Sequence, residues 1–283
     1  MGKDLNKPGH PLIPEMGGLA VVIGFYVGVN VLTIWGENDL PSGIFYLSLL
    51  AVLGAAVTGI MDDLFRMRQR VKAFLPFIFA IPLGSVMVDT NNTILLGFDF
   101  GILMLLIAPF GITSAANAAN MLEGFNGLGV GLGIIITSSM IIISLITGQT
   151  EGLFLLFPLL GALLAFLWFN KYPARIFPGD SMTLFVGATI ACAAIISNLK
   201  AFGAILFIPL IVEFFLKAKG RFKAENYGRI NGKGRLAYQG QVESIAHLVM
   251  RWKKLTEWQI VAVIWLVEII VCVSTIIGVF LLV

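Results

Sequence analysis

The 283-residue chain is 58% hydrophobic and 12% charged, with 19 Lys+Arg, 16 Asp+Glu and a net charge of +3. Soluble domains run at about 45–50% apolar and about 25% charged, so a cytosolic enzyme, a disulfide-stapled secreted domain and a disordered tail are excluded. Long uncharged runs indicate an all-α polytopic transmembrane helical bundle.

Residues 1–15 are polar and Pro-rich, unlike a cleavable signal peptide. Nine stretches then offer the roughly 20 mostly apolar residues that a spanning helix needs. They are 16–35, 42–61, 73–89, 98–116, 128–147, 151–169, 182–198, 200–216 and 258–282. Turn residues fill the connectors at 36–42 and 89–92. Cys192 and Cys272 fall inside apolar runs and read as small buried hydrophobes.

Numbered alternately, the connectors 1–15, 62–72, 117–127, 170–181 and 217–257 hold 18 of the 19 basic residues, leaving only Lys200 on the other side. By the positive-inside rule this set is cytoplasmic, in a cell membrane. A single integral membrane domain occupies 1–283, with 217–257 as a long cytoplasmic loop. There Val242, Ile245, Val249 and Trp252 recur at helical spacing beside Arg251, Lys253 and Lys254, which predicts an interfacial amphipathic helix.

The candidate chemistry lies on the basic face. Asp62 and Asp63 end the second span, and Lys72 follows nine residues later. Adjacent carboxylates at a membrane boundary need a cation or water, and Arg66 and Arg70, at i+4 and i+7, are the local alternative to a functional role. Asn117, Asn120, Glu123 and Asn126 occupy a Gly-rich turn; carboxamides suit a hard metal, a phosphate or a nucleobase edge. Asp180, before the seventh span, is either a helix cap or a ligand. Phe177 is either an interface aromatic or a stacking platform for a base. Lys217, Lys219, Arg221, Lys223 and Arg229 could hold a polyanion or the anionic lipid surface. Glu213 is expected to pair with Lys217 at i+4, Glu268 has no assigned role, and His10 and His247 read as loop or surface residues.

Four stretches in this order resemble the polyprenyl-phosphate N-acetylhexosamine-1-phosphate transferase family, glycosyltransferase family 4. They are D-L-N-K at Asp4–Lys7 with I-P-E-M-G-G at Ile13–Gly18, the acidic pair with Lys72, N-A-A-N-M-L-E-G-F-N-G from Asn117, and N-K-Y-P-A-R-I-F-P-G-D ending at Asp180. The match is closest to the archaeal and eukaryotic branch acting on UDP-GlcNAc and dolichyl phosphate. The resemblance implies that Asp180 and Asn120 ligate Mg²⁺, with Mn²⁺ as a substitute, and that Lys72 holds phosphate oxygens. It also implies that Asn126 reads the uracil edge, Phe177 stacks on the ring and Glu15 lies near the nucleoside. Asn117 joins the substrate-binding set, and Lys219, Arg221 and Lys223 stand where members clamp the pyrophosphate. The members' ten spans imply a first helix preceding the present start.

The implied reaction moves GlcNAc-1-phosphate from UDP-GlcNAc to a polyprenyl phosphate with release of UMP, the first lipid-linked step of N-glycan assembly. Asp62 and Asp63 are expected mainly to position Lys72 and metal-bound water, with a general-base role as the alternative. Another UDP-N-acetylhexosamine or undecaprenyl phosphate is an alternative substrate, and a secondary transporter is the remote alternative. Nucleic acid is not an expected partner. Homodimerisation is left open.

Overall fold

The computed structural model describes residues 1–35, 43–231 and 234–282; the turn expected at 36–42 lies outside them. The chain opens with a two-residue ladder, β1 (Gly2–Lys3) against β2 (Leu12–Ile13). Helices α1 (Gly18–Trp35), α2 (Gly43–Phe65) and α3 (Gln69–Asp89) follow. A second ladder, β3 (Ile94–Leu95) with β4 (Phe98–Asp99), leads to α4 (Met104–Met121), α5 (Leu128–Thr147), α6 (Leu153–Asn170) and α7 (Asp180–Ile196). Then come α8 (Lys200–Leu206) and α9 (Ile208–Lys219), a third ladder of β5 (Arg229–Ile230) and β6 (Leu236–Ala237), α10 (Ile245–Trp252) and α11 (Glu257–Leu282).

Each of the nine expected stretches holds an apolar helix. Among the described residues six are long and apolar enough to cross a membrane alone. Helices α8 and α9 would make a seventh span as one pair bent by 60°, while α1 and α7 are shorter apolar helices. Pro209, in the first turn of α9, removes a backbone donor at that bend.

Helix α7 is the axis of the bundle. Fifteen of its residues are buried, and it packs on α2 and α4 most extensively. Small residues permit this closeness. A side chain at Gly187 would strike the α4 backbone at Ala115, and one at Gly59 would strike the α7 backbone at Asp180. Gly59 therefore lets the end of α2, with its two aspartates, lie against the start of α7.

The two faces of the bundle are each stitched by their own connectors. On the basic face, Gly17 N–H donates to Phe177 O, Asn6 Nδ2 to Gly124 O and Asn226 Nδ2 to Glu123 O. On the opposite face, Lys200 reaches Asn92 and Asn198, and Ser197 Oγ accepts Gly152 N–H.

Helix α10 is amphipathic, as expected, but its orientation corrects the sequence reading. Val249 is buried with Ala246 and Met250 in a second core cluster around Leu122, Phe125 and Ile264, while Leu248 and Trp252 face outward. His247 is not a surface residue but fully buried: its Nε2 meets Glu225 O, its Nδ1 accepts Glu243 N–H, and Tyr238 stacks on its ring. Both cysteines are free and buried.

Candidate active site

Lys72 is 6% exposed, on the first turn of α3. Its ammonium bridges two carboxylates, at 3.0 Å from Asp62 and in direct contact with Asp180. Burying an ammonium is costly unless it is paired and hydrogen-bonded, and two carboxylates from different helices fix its position. Asp62 also accepts Met67 N–H at 2.7 Å, so the turn after α2 holds its other oxygen. Asn120 Nδ2 donates to the remaining oxygen of Asp180 at 2.7 Å and to Thr183 Oγ1 at 2.8 Å. Asp62, Lys72, Asn120 and Asp180, 118 positions apart along the chain, form one cluster.

Asp63 has a different task. Its two oxygens accept Asp180 N–H at 2.8 Å and Ser181 N–H at 3.1 Å. It thus caps α7 from a neighbouring helix, satisfying donors that a helix start leaves unpaired. Gly179 precedes Asp180 with φ +71°, a left-handed conformation suited to glycine, and the Asp63 carboxylate packs against it. Asp180 is therefore the first residue of the capped helix and not the cap. Asp63 does not touch Lys72, so the expectation that both acids position the lysine holds for Asp62 alone. Neither acid pairs with Arg66 or Arg70.

The other expected site residues divide into ties and exposed groups. Asn117 Nδ2 donates to Ala73 O at 3.1 Å and Thr113 O at 2.8 Å, fastening α4 to α3 beside Lys72. Asn126 is 4% exposed, and its carboxamide oxygen takes both Lys7 Nζ and Ala174 N–H, while Nδ2 donates to Asp4. Both lone-pair positions of that oxygen are used inside the protein, so Asn126 joins three loops. Phe177 is half-buried; its backbone pairs with Pro14 and Gly17, bringing the exposed Glu15 alongside. Lys219 at the end of α9 and Arg221 and Lys223 on the turn after it are exposed, and three residues later Asn226 anchors that loop to Met121 O and Glu123 O. Glu213 lies 3.9 Å from Lys217, as expected, and also accepts Ile245 N–H at the start of α10. Glu268 is fully buried and meets Cys272 Sγ at 3.5 Å.

Glu123 is largely buried and one of its oxygens has no partner. Burial pushes its carboxyl up to about 8, and the charge of Asp180 acts in the same direction. Asn170 escaped the sequence reading. It is 1% exposed, accepts Gly127 N–H and donates to Ile176 O, linking the loop that follows α4 to the loop that precedes α7. It opens the N-K-Y-P-A-R-I-F-P-G-D stretch, and that position was the available signal.

No group of three or more His, Cys, Asp or Glu that could hold a metal occurs among the described residues. The cluster instead offers carboxylate oxygens of Asp62 and Asp180 and the Asn120 carboxamide, donors that fit a hard cation completed by phosphate and water oxygens.

An apolar groove of about 490 Å³ runs between α4, α7, α8 and α9. Its walls include Met104, Gly111, Ala118, Ala191, Phe207 and Phe214, and Lys200 stands at its far end. Helices α4 and α7, which carry Asn120 and Asp180, also wall this groove, through Ala118 on α4 and Ala191 on α7.

Residues 45–198 match the sequence profile of the family described as Glycosyl transferase family 4. A Saccharolobus solfataricus protein with the provisional name UDP-N-acetylglucosamine–dolichyl-phosphate N-acetylglucosaminephosphotransferase is 40% identical over 98% of this chain and 87% of its own length. The Saccharomyces cerevisiae protein named for the same activity is 31% identical over 78% of this chain and 61% of its own length. A phospho-N-acetylmuramoyl-pentapeptide-transferase of Borrelia garinii is 29% identical over 71% of this chain and 65% of its own.

Proposed function

The chain belongs to glycosyl transferase family 4, and from that premise we propose that it transfers GlcNAc-1-phosphate from UDP-GlcNAc to a dolichyl or related polyprenyl phosphate, releasing UMP. The observation that carries the reading is the union of two unlike features. A buried Lys72 bridges Asp62 and Asp180 beside Asn120, and the helices α4 and α7 that carry Asn120 and Asp180 also wall an apolar groove. A phosphate at the end of a long hydrocarbon requires that combination, whereas a soluble acceptor has no use for the groove.

Each residue then has a task. Lys72 presents its ammonium to phosphate oxygens, with Asp62 and Asp180 fixing its place. Asn120 orients the Asp180 carboxylate, and Asp63 holds the helix start that carries it. A Mg²⁺ ion held by Asp180 and Asn120 would neutralise charge on the diphosphate, which together with Lys72 supplies most of the electrostatic catalysis. No general base is required: a phosphate monoester has its second pKa near ~6, so the acceptor is already largely dianionic at neutral pH. Asp63 is a poor base in any case, because both its oxygens are taken by backbone N–H groups. We assign the nucleotide to the basic turn at Lys219, Arg221 and Lys223 and to the Phe177–Glu15 edge. By its basic residues this face is assigned to the cytoplasm.

The test uses membranes containing the protein, sugar-labelled UDP-GlcNAc, dolichyl phosphate and Mg²⁺. Label is expected in an acid-labile, organic-soluble lipid, sensitive to EDTA and reversed by added UMP. Failure with every UDP-N-acetylhexosamine and polyprenyl phosphate would overturn the reading.

A further inference from the structure

We propose that the turn joining α2 to α3 is a docking surface for the phosphate headgroups of anionic membrane lipids, held by Arg66, Arg68 and Arg70. The turn has no counter-charge of its own. The neighbouring carboxylates are committed elsewhere: Asp62 to Lys72 and Met67 N–H, and Asp63 to the N–H groups of Asp180 and Ser181. All three guanidinium groups are exposed and make no ion pair, hydrogen bond or ring contact with any described residue.

The flanks of the turn fix the class of anion. Leu64, Phe65, Val71 and Phe74 are 56%, 72%, 46% and 56% exposed. Apolar side chains beside arginine place acyl chains below the turn and phosphates at guanidinium level, the arrangement in which arginine extends to the interface. The guanidinium fork binds phosphate oxygens in pairs. A soluble nucleotide would leave the apolar flank unmatched.

This surface is continuous with the catalytic cluster. Arg66 N–H donates to Asp62 O, Met67 N–H to the Asp62 carboxylate, and Lys72 N–H to Arg68 O. Arg66 has φ +50°, a left-handed conformation uncommon for a long side chain and held only by its surroundings. Headgroup contact steadies the turn that sets Asp62 and Lys72, so lipid composition adjusts turnover. That last link rests on the proposed function; the docking itself does not.

The test uses the full chain in phosphatidylcholine nanodiscs doped with spin-labelled phosphatidylglycerol or spin-labelled phosphatidylcholine, comparing how much of each label the protein immobilises. A basic residue near an anionic surface favours binding by roughly fivefold. The wild type should prefer the anionic label, and the combined Arg66→Gln, Arg68→Gln, Arg70→Gln variant should lose the preference by up to on the order of a hundredfold. High salt should weaken it in the wild type. Should the triple variant not fold, Arg68→Gln alone is expected to lose part of the preference and Arg68→Lys to keep most of it. An unchanged preference in the glutamine variants would overturn the proposal, as would an unchanged preference accompanied by a raised KM for UDP-GlcNAc. Because the readout needs no turnover, a failure of the transferase reading leaves this result interpretable.

Discussion

Replacing Asp63 separates a positioning role from general-base catalysis. Asp63→Ala removes the acceptor for two N–H groups, at 2.8 and 3.1 Å, in the first turn of α7. Loss of a cap costs about 0.5–2 kcal/mol, and a hydrogen bond to a charged group is worth about 1.5–3 kcal/mol, so a loss of about 2 kcal/mol in stability is expected. The larger effect is on rate. Asp180 is the first residue of the uncapped helix, and a displacement of about 1 Å at a catalytic group can cost on the order of 100-fold. Asp63→Asn keeps one acceptor oxygen and should fall by less than about tenfold, since only about one hydrogen bond weakens. The assay is single-turnover transfer in nanodiscs across pH, with thermal unfolding and Mn²⁺ affinity measured by electron paramagnetic resonance. Weaker Mn²⁺ binding in Asp63→Ala and an unaltered pH profile in Asp63→Asn are expected. An Asp63→Asn protein that is as stable as wild type, binds Mn²⁺ normally and is inactive at every pH would refute the cap and make Asp63 the base.

Asp62→Asn should retain partial activity with a weaker Mg²⁺ requirement, because it loosens one of the two carboxylates on Lys72; complete loss at every pH would indicate a base. Ala191→Phe would fill part of the apolar groove and should raise the KM for the lipid acceptor by roughly tenfold, as expected for about two lost methylene contacts, with the KM for UDP-GlcNAc unchanged. The Glu123 carboxyl sits at about 8 in the fold against 4.5 when unperturbed. Its stabilising contribution is present at low pH and lost as pH rises towards 8, with a slope of up to about 1.4 kcal/mol per pH unit. Glu123→Gln should therefore flatten the decline in thermal stability between pH 5 and 8, and an unchanged decline would contradict the burial argument.

The spans and their two-sided charge distribution were legible because apolar length and loop charge are local properties. Asp62, Lys72, Asn120 and Asp180 were legible only as separate motifs; their union depends on Gly59 and Gly187, whose missing side chains let α2 and α4 close on α7. What escaped depends on distant partners. Helical spacing pairs Asp62 with Arg66, yet Lys72 and Met67 N–H take that carboxylate. Asn126 draws its donors, Lys7 and Ala174 N–H, from other loops. His247 and Val249 turned inward because α10 covers Leu122 and Phe125, a surface that no local pattern displays.

The central claim is that bond-making occurs at the β-phosphorus of the nucleotide sugar, at the cluster of Asp62, Lys72, Asn120 and Asp180. The most direct measurement supplies UDP-GlcNAc labelled with ³²P in the β-phosphate and ¹⁴C in the sugar, and follows both labels into lipid. The account predicts that both enter in equal amounts, with UMP as the only nucleotide product, and that Lys72→Ala and Asp180→Ala abolish both while remaining folded. Sugar label entering lipid without the β-phosphorus, with UDP released, would mean attack at the anomeric carbon and would contradict it.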